Sequence, residues 1–131
     1  MLEQSCCGTD TVILACSGGS NVGQITNEAA KALTGQGVGR MYCAIGVGAG
    51  LPNFIQTTGE GTCIALDGCA VGCVKRALDN AGLQPQVYLV VTELGIEKQP
   101  GFAVSEAQIA QVTEAVQQSL PSGGPGCGCC G

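Results

Sequence analysis

Ten of the 131 residues are cysteine and none is histidine. Sulfur is therefore the main chemistry this chain can offer. The thiols fall as Cys6-Cys7, Cys16, Cys43, Cys63, Cys69-x3-Cys73 and Cys127-x-Cys129-Cys130. Without imidazole there is no Ser-His-Asp triad, no Cys-His nucleophile pair and no histidine metal helix. A transition-metal site would have to be built from thiolates, with a carboxylate at most. A single cysteine is usually a small buried hydrophobe, but ten strain that reading.

The elements that position these thiols follow from the apolar pattern. Runs 11–16, 40–46, 63–67 and 86–93 are nearly continuous Val, Ile, Leu, Ala and Cys, as in parallel strands covered on both faces. Val22, Ile25, Ala29 and Leu33 lie at helical spacing between Ser20 or Asn21 as N-cap and Gly35 as stop. Ala70, Val74, Ala77 and Ala81 give a second stripe ended by Gly82. Ser105 and Gln108 make a capping box for a last helix that turns Ile109, Val112, Val116 and Leu120 inward before Pro121. Pro52 opens a short helix in the crossover between the second and third strands. Four β-α units predict a small doubly wound, flavodoxin-like α/β domain. Its four-stranded, mostly parallel sheet has the expected order 2-1-3-4 and helices on both faces. The domain covers 11–120, between a segment 1–10 and a Gly/Pro-rich segment 121–131 that cannot fold alone.

Such sheets place their sites beyond the carboxyl ends of the strands. Cys16 ends strand 1 and Cys69 follows strand 3. Cys73 comes four residues later, on the same helix face if the helix has begun, and Cys43 occupies the second half of strand 2. These four are the candidate metal ligands, a tetrahedral thiolate set drawn from three strand ends. Cys63 starts strand 3, about 13 Å away along the strand, and reads as packing. The turn at residues 18–23 lacks a P-loop lysine and reads as a tight turn, not a phosphate cradle.

The segments Cys16-Ser17-Gly18-Gly19-Ser20, Cys43-Ala44-Ile45-Gly46-Val47-Gly48 and Ile64-Ala65-Leu66-Asp67-Gly68-Cys69-Ala70-Val71-Gly72-Cys73 are similar to those of the DGC-motif family of zinc-binding proteins. Lys75-Arg76-Ala77-Leu78 and Val91-Thr92-Glu93-Leu94-Gly95-Ile96 extend the resemblance, which covers most of residues 11–98. It implies four cysteine ligands that map onto Cys16, Cys43, Cys69 and Cys73.

The first functional expectation is a metal-binding protein, with zinc at those four thiolates, used in sensing, storage or transfer. The alternative is an iron–sulfur or thiol-redox protein using the same cysteines. A cysteine-nucleophile enzyme assisted by Asp67 ranks below both, so binding is favoured over catalysis. Cys127, Cys129 and Cys130 form a second tier of ligands, with a mean reach of about 17 Å that would approach a nearby site. Cys6 and Cys7 could serve similarly. A formal charge of −5 without a basic cluster argues against nucleic acid or an anionic membrane as partner. No signal-peptide pattern or membrane-length apolar run is present, so a reducing cytoplasm is expected and a disulfide framework is not. Arg40, Lys75 and Arg76 read as a solvated face, the aromatic residues as anchors, and Glu93 as a neighbour of the same crevice.

Overall fold

A strand apolar on both sides needs a helical layer on each face, and the chain supplies both. The computed structural model describes residues 10–120. Strands β1 (Thr11–Ala15), β2 (Arg40–Met41), β3 (Thr62–Asp67) and β4 (Val87–Val90) form one all-parallel sheet in the order β2-β1-β3-β4. The helices are α1 (Asn21–Gly35), α2 (Ala44–Gly48), α3 (Pro52–Glu60), α4 (Cys73–Asn80) and α5 (Glu106–Ser119), with a 3-10 helix at Val91–Leu94.

Alternate residues of each strand feed two cores. Ile13, Ala15, Ile64, Leu66, Val87 and Leu89 pack with Ile25, Ala29 and Leu33 of α1 and with Val112 and Val116 of α5. On the other face, Val12, Leu14, Cys63 and Ala65 meet Val47 of α2 and Val74 and Leu78 of α4. Phe54 and Ile55 of α3 close that layer. The chain moves outward from β1 to β2, then crosses back over β1 to β3. The switch point therefore lies between β1 and β3, as the sequence predicts.

The helix ends follow their local signals. Ser20 caps α1 by accepting from Gly23 N at 3.2 Å. Ser105 and Gln108 form the expected capping box on α5, and Pro52 begins α3.

Three expectations need correction. The second strand stops at Met41, not Gly46, and residues 44–48 are helical. The Ala-Ile-Gly-Val-Gly run is apolar enough for either state, and burying Val47 against the α4 face selects the helix. The fourth strand stops at Val90, where the chain tightens into the 3-10 helix that carries Glu93 at the surface. The helix expected from Ala70 begins only at Cys73. Gly72 precedes it in a left-handed conformation (φ 68°), leaving Ala70 exposed and Val74 and Leu78 as the buried stripe.

Candidate thiol edge

The carboxyl ends of β2, β1 and β3 lie side by side, about 4.8 Å apart per strand. Each leads into a loop carrying cysteine.

Cys16 directly follows β1, and its N–H extends the ladder by donating to Leu66 O at 3.0 Å. Its sulfur lies 3.7 Å from Thr26 Oγ1, which itself donates to Gly23 O at 2.6 Å. With the threonine proton committed there, the Cys16 S–H is the donor to that oxygen. Thr26 also accepts from Ser17 N at 3.0 Å, fastening the turn to α1.

Cys43 is not on a strand. It is the exposed N-cap residue of α2, two residues beyond the end of β2, and its side chain makes no capping bond.

Cys69 and Cys73 flank the turn between β3 and α4. Asp67 fixes that turn. Its carboxylate is 1% exposed and accepts from Val74 N (2.9 Å), Lys75 N (3.0 Å) and Tyr88 Oη (2.8 Å). These bonds compensate a buried charge that would otherwise be expensive. Burial, followed by the hydrogen bond to Asp67 and the charges of Asp67, Glu93 and Cys16, pushes the Tyr88 phenol well above its ordinary range. Tyr88 therefore stays a neutral donor. Gly68 is required by close approach, because a Cβ there would lie 2.9 Å from Gly23 N in the first turn of α1.

The turn places Cys69 half-buried and Cys73 exposed at the start of α4. They do not share a helix face, because Cys69 lies outside the helix. Lys98 Nζ stands 3.5 Å from Cys69 Sγ. Asn21 holds the segment bearing that lysine: its Nδ2 donates to Glu97 O at 2.9 Å, and its Oδ1 accepts from Gln99 N at 2.6 Å.

Cys63 is 2% exposed at the opposite end of β3, and burial pushes its thiol up to about 11. It is a packing residue, as expected. Cys6, Cys7, Cys127, Cys129 and Cys130 lie outside the described residues. Among the described residues, no three His, Cys, Asp or Glu side chains stand close enough together to hold a metal ion. Cys16, Cys43, Cys69 and Cys73 thus share one edge of the sheet without meeting at a point. A separate cavity of about 350 Å³ beside the α1 and α5 N-termini is lined by Asn21, Glu97, Gln99 and Ser105 among others, with no cysteine.

Lys98 and Tyr88 are the contributors that sequence reasoning missed. Each becomes visible only when a distant segment is brought against a strand end. No local motif marks Lys98, and Tyr88 read as a packing anchor.

The order of these features along the chain, from the thiol after β1 to the Asp-Gly-Cys turn after β3, decides the family, because the DGC domain family matches residues 12–116. The chain belongs to the DGC domain family. Its DGC domain is also similar to the anaerobic and virulence modulator AnvM of Pseudomonas aeruginosa. The two are 32% identical over 125 residues, which is 95% of each chain. No solved structure matches this DGC chain. Among its described residues, no helix is long and apolar enough to cross a membrane.

Proposed function

We propose that this DGC domain is a regulatory metal-binding module that takes up a soft metal ion, zinc in the first instance, through Cys16, Cys43, Cys69 and Cys73. The supporting observation is their placement on loops that follow three neighbouring parallel strands at one edge. The donor set fits such an ion, since thiolates favour zinc and other soft metals over magnesium or calcium. When bound, zinc would hold the three loops together. Ligation requires the loops that carry these four thiols to draw together. Asp67 keeps the Cys69–Cys73 turn in place, and Lys98 sets a positive charge beside the sulfur-rich edge. A closed four-thiolate site offers no open position for substrate, so binding or sensing suits it better than catalysis. The relative's description as a modulator supports a regulatory use. A cytoplasmic, reducing setting would keep the thiols available, and the acidic chain leaves nucleic acid an unsuitable partner.

Replacing Cys16, Cys43, Cys69 or Cys73 singly with serine should weaken zinc binding at least about 100-fold, while Cys63→Ser should not. Equal affinity in all five variants would overturn the assignment.

A second reading, an iron–sulfur or thiol-redox centre on the same cysteines, is favoured by the Lys98–Cys69 contact, which places a cation where a thiolate would need one. The word "anaerobic" in the relative's name fits it too. Visible iron–sulfide absorption in protein prepared without oxygen would select this reading over zinc.

A further inference from the structure

Cys69 and Lys98 meet across 29 residues of sequence, with Nζ 3.5 Å from Sγ, and the backbone on both sides of the contact is fixed. On the thiol side, half-buried Cys69 packs against the core shared by α1 and α5. The preceding Gly68 carbonyl accepts from Thr92 N at 3.1 Å. On the amine side, Ile96 is 6% exposed and belongs to the same core. Asn21, equally buried, donates to Glu97 O and accepts from Gln99 N, so both neighbours of Lys98 are tied to α1. Lys98 itself is exposed, which leaves the pair open to small solutes. Cys16 Sγ is turned to Thr26 Oγ1 instead, at 3.7 Å, and all five described cysteines are free of disulfides.

We propose that Cys69 and Lys98 form a peroxide-responsive modification site, in which oxidation joins Cys69 Sγ to Lys98 Nζ through a sulfur–nitrogen bond. The oxidant is a hydroperoxide, hydrogen peroxide being the simplest. The Cys69 sulfur attacks one peroxide oxygen and the O–O bond breaks. Sulfur loses two electrons, the peroxide gains them, and the thiol proton leaves with the second oxygen as water, giving a sulfenic acid. The Lys98 amine, its extra ammonium proton gone to solvent, then attacks that sulfur. An S–N bond forms, the S–O bond breaks, and the departing hydroxide takes a proton from nitrogen as a second water. One thiol, one amine and one hydrogen peroxide thus become one sulfenamide and two waters. The bridge fastens the turn after β3 to the 97–99 segment and shields Cys69 from the irreversible sulfinic and sulfonic acids. It also removes one thiolate from the four assigned to zinc, so oxidation would lower zinc affinity. That last consequence rests on the proposed metal-binding reading; the bridge itself does not.

The test uses the full chain, reduced and metal-free, treated with hydrogen peroxide and then digested for peptide mass mapping. A linked peptide pair joining Cys69 to Lys98, lighter by two hydrogen atoms and reopened by dithiothreitol, is the expected product. Lys98→Arg keeps the positive charge but removes the amine. It should abolish the link and raise dimedone labelling of Cys69 sulfenic acid at least about fivefold. Asn21→Ala should lower the yield of the link by releasing the segment that presents Lys98. Cys69 recovered in a disulfide with another cysteine would overturn the proposal, as would equal dimedone labelling in the unaltered chain and Lys98→Arg. A chain that forms the link but binds no zinc would reject the metal reading and uphold the bridge. Zinc binding without any link would do the reverse.

Discussion

Tyr88 Oη donates to Asp67 Oδ2 at 2.8 Å, joining β4 to the turn that carries Cys69 and Cys73. The same carboxylate caps α4 through Val74 N and Lys75 N. The aspartate of the Asp-Gly-Cys triplet therefore fixes the turn that bears the cysteines and is itself buried away from solvent.

Asp67→Ala leaves two helix N–H groups and one phenol without their partner. A cost of about 2–4 kcal/mol is expected in urea denaturation, with Tyr88→Phe costing about 1 kcal/mol. A loss below about 0.5 kcal/mol for Asp67→Ala would be incompatible with this capping role.

Gly72→Ala should cost about 1–2 kcal/mol, because φ of 68° is unfavourable for a residue with a Cβ. Gly68→Ala should be worse, since its new carbon would press on the α1 backbone at 2.9 Å. Thermal melts of both variants would check the ranking.

Stability should fall as pH rises from about 9 to about 11. The Cys63 thiol ionises near 9.0 when unfolded but only at about 11 in its buried position. In that window the folded chain holds the proton and the unfolded chain does not, so raising pH favours unfolding. The contribution is about 2–3 kcal/mol over the whole window. Cys63→Ala should flatten this part of the curve, and an unchanged slope would contradict the burial argument.

Lys98→Met removes the cation beside Cys69 and should slow its alkylation about three- to tenfold, with Cys73 unaffected. Asn21→Ala should act in the same direction, because Asn21 holds the residues on either side of Lys98. Equal rates at Cys69 in all three proteins would mean the contact has no chemical consequence.

Strand order and the cysteine edge were legible because topology alone fixes which strand ends are neighbours. Ser20, Pro52 and the Ser105–Gln108 pair also announced their helix ends, since capping is a local interaction. The short helix at Ala44–Gly48 was not legible: five apolar residues satisfy both periodicities, and tertiary burial decides between them. Apolar spacing likewise missed that Gly72 turns left-handed, which removes Cys69 from α4. The separations among the four thiols depend on loop conformation, which no count of residues supplies. Lys98 and Tyr88 reach the site across 29 and 21 residues of sequence, beyond any local pattern.

The central claim is tested most directly by metal content measured together with residue-resolved thiol protection on freshly reduced, zinc-loaded full chain. A bound zinc that protects Cys16, Cys43, Cys69 and Cys73 as one set is the expected result. Protein that retains no metal, with all four thiols alkylating as independent free cysteines, would contradict it.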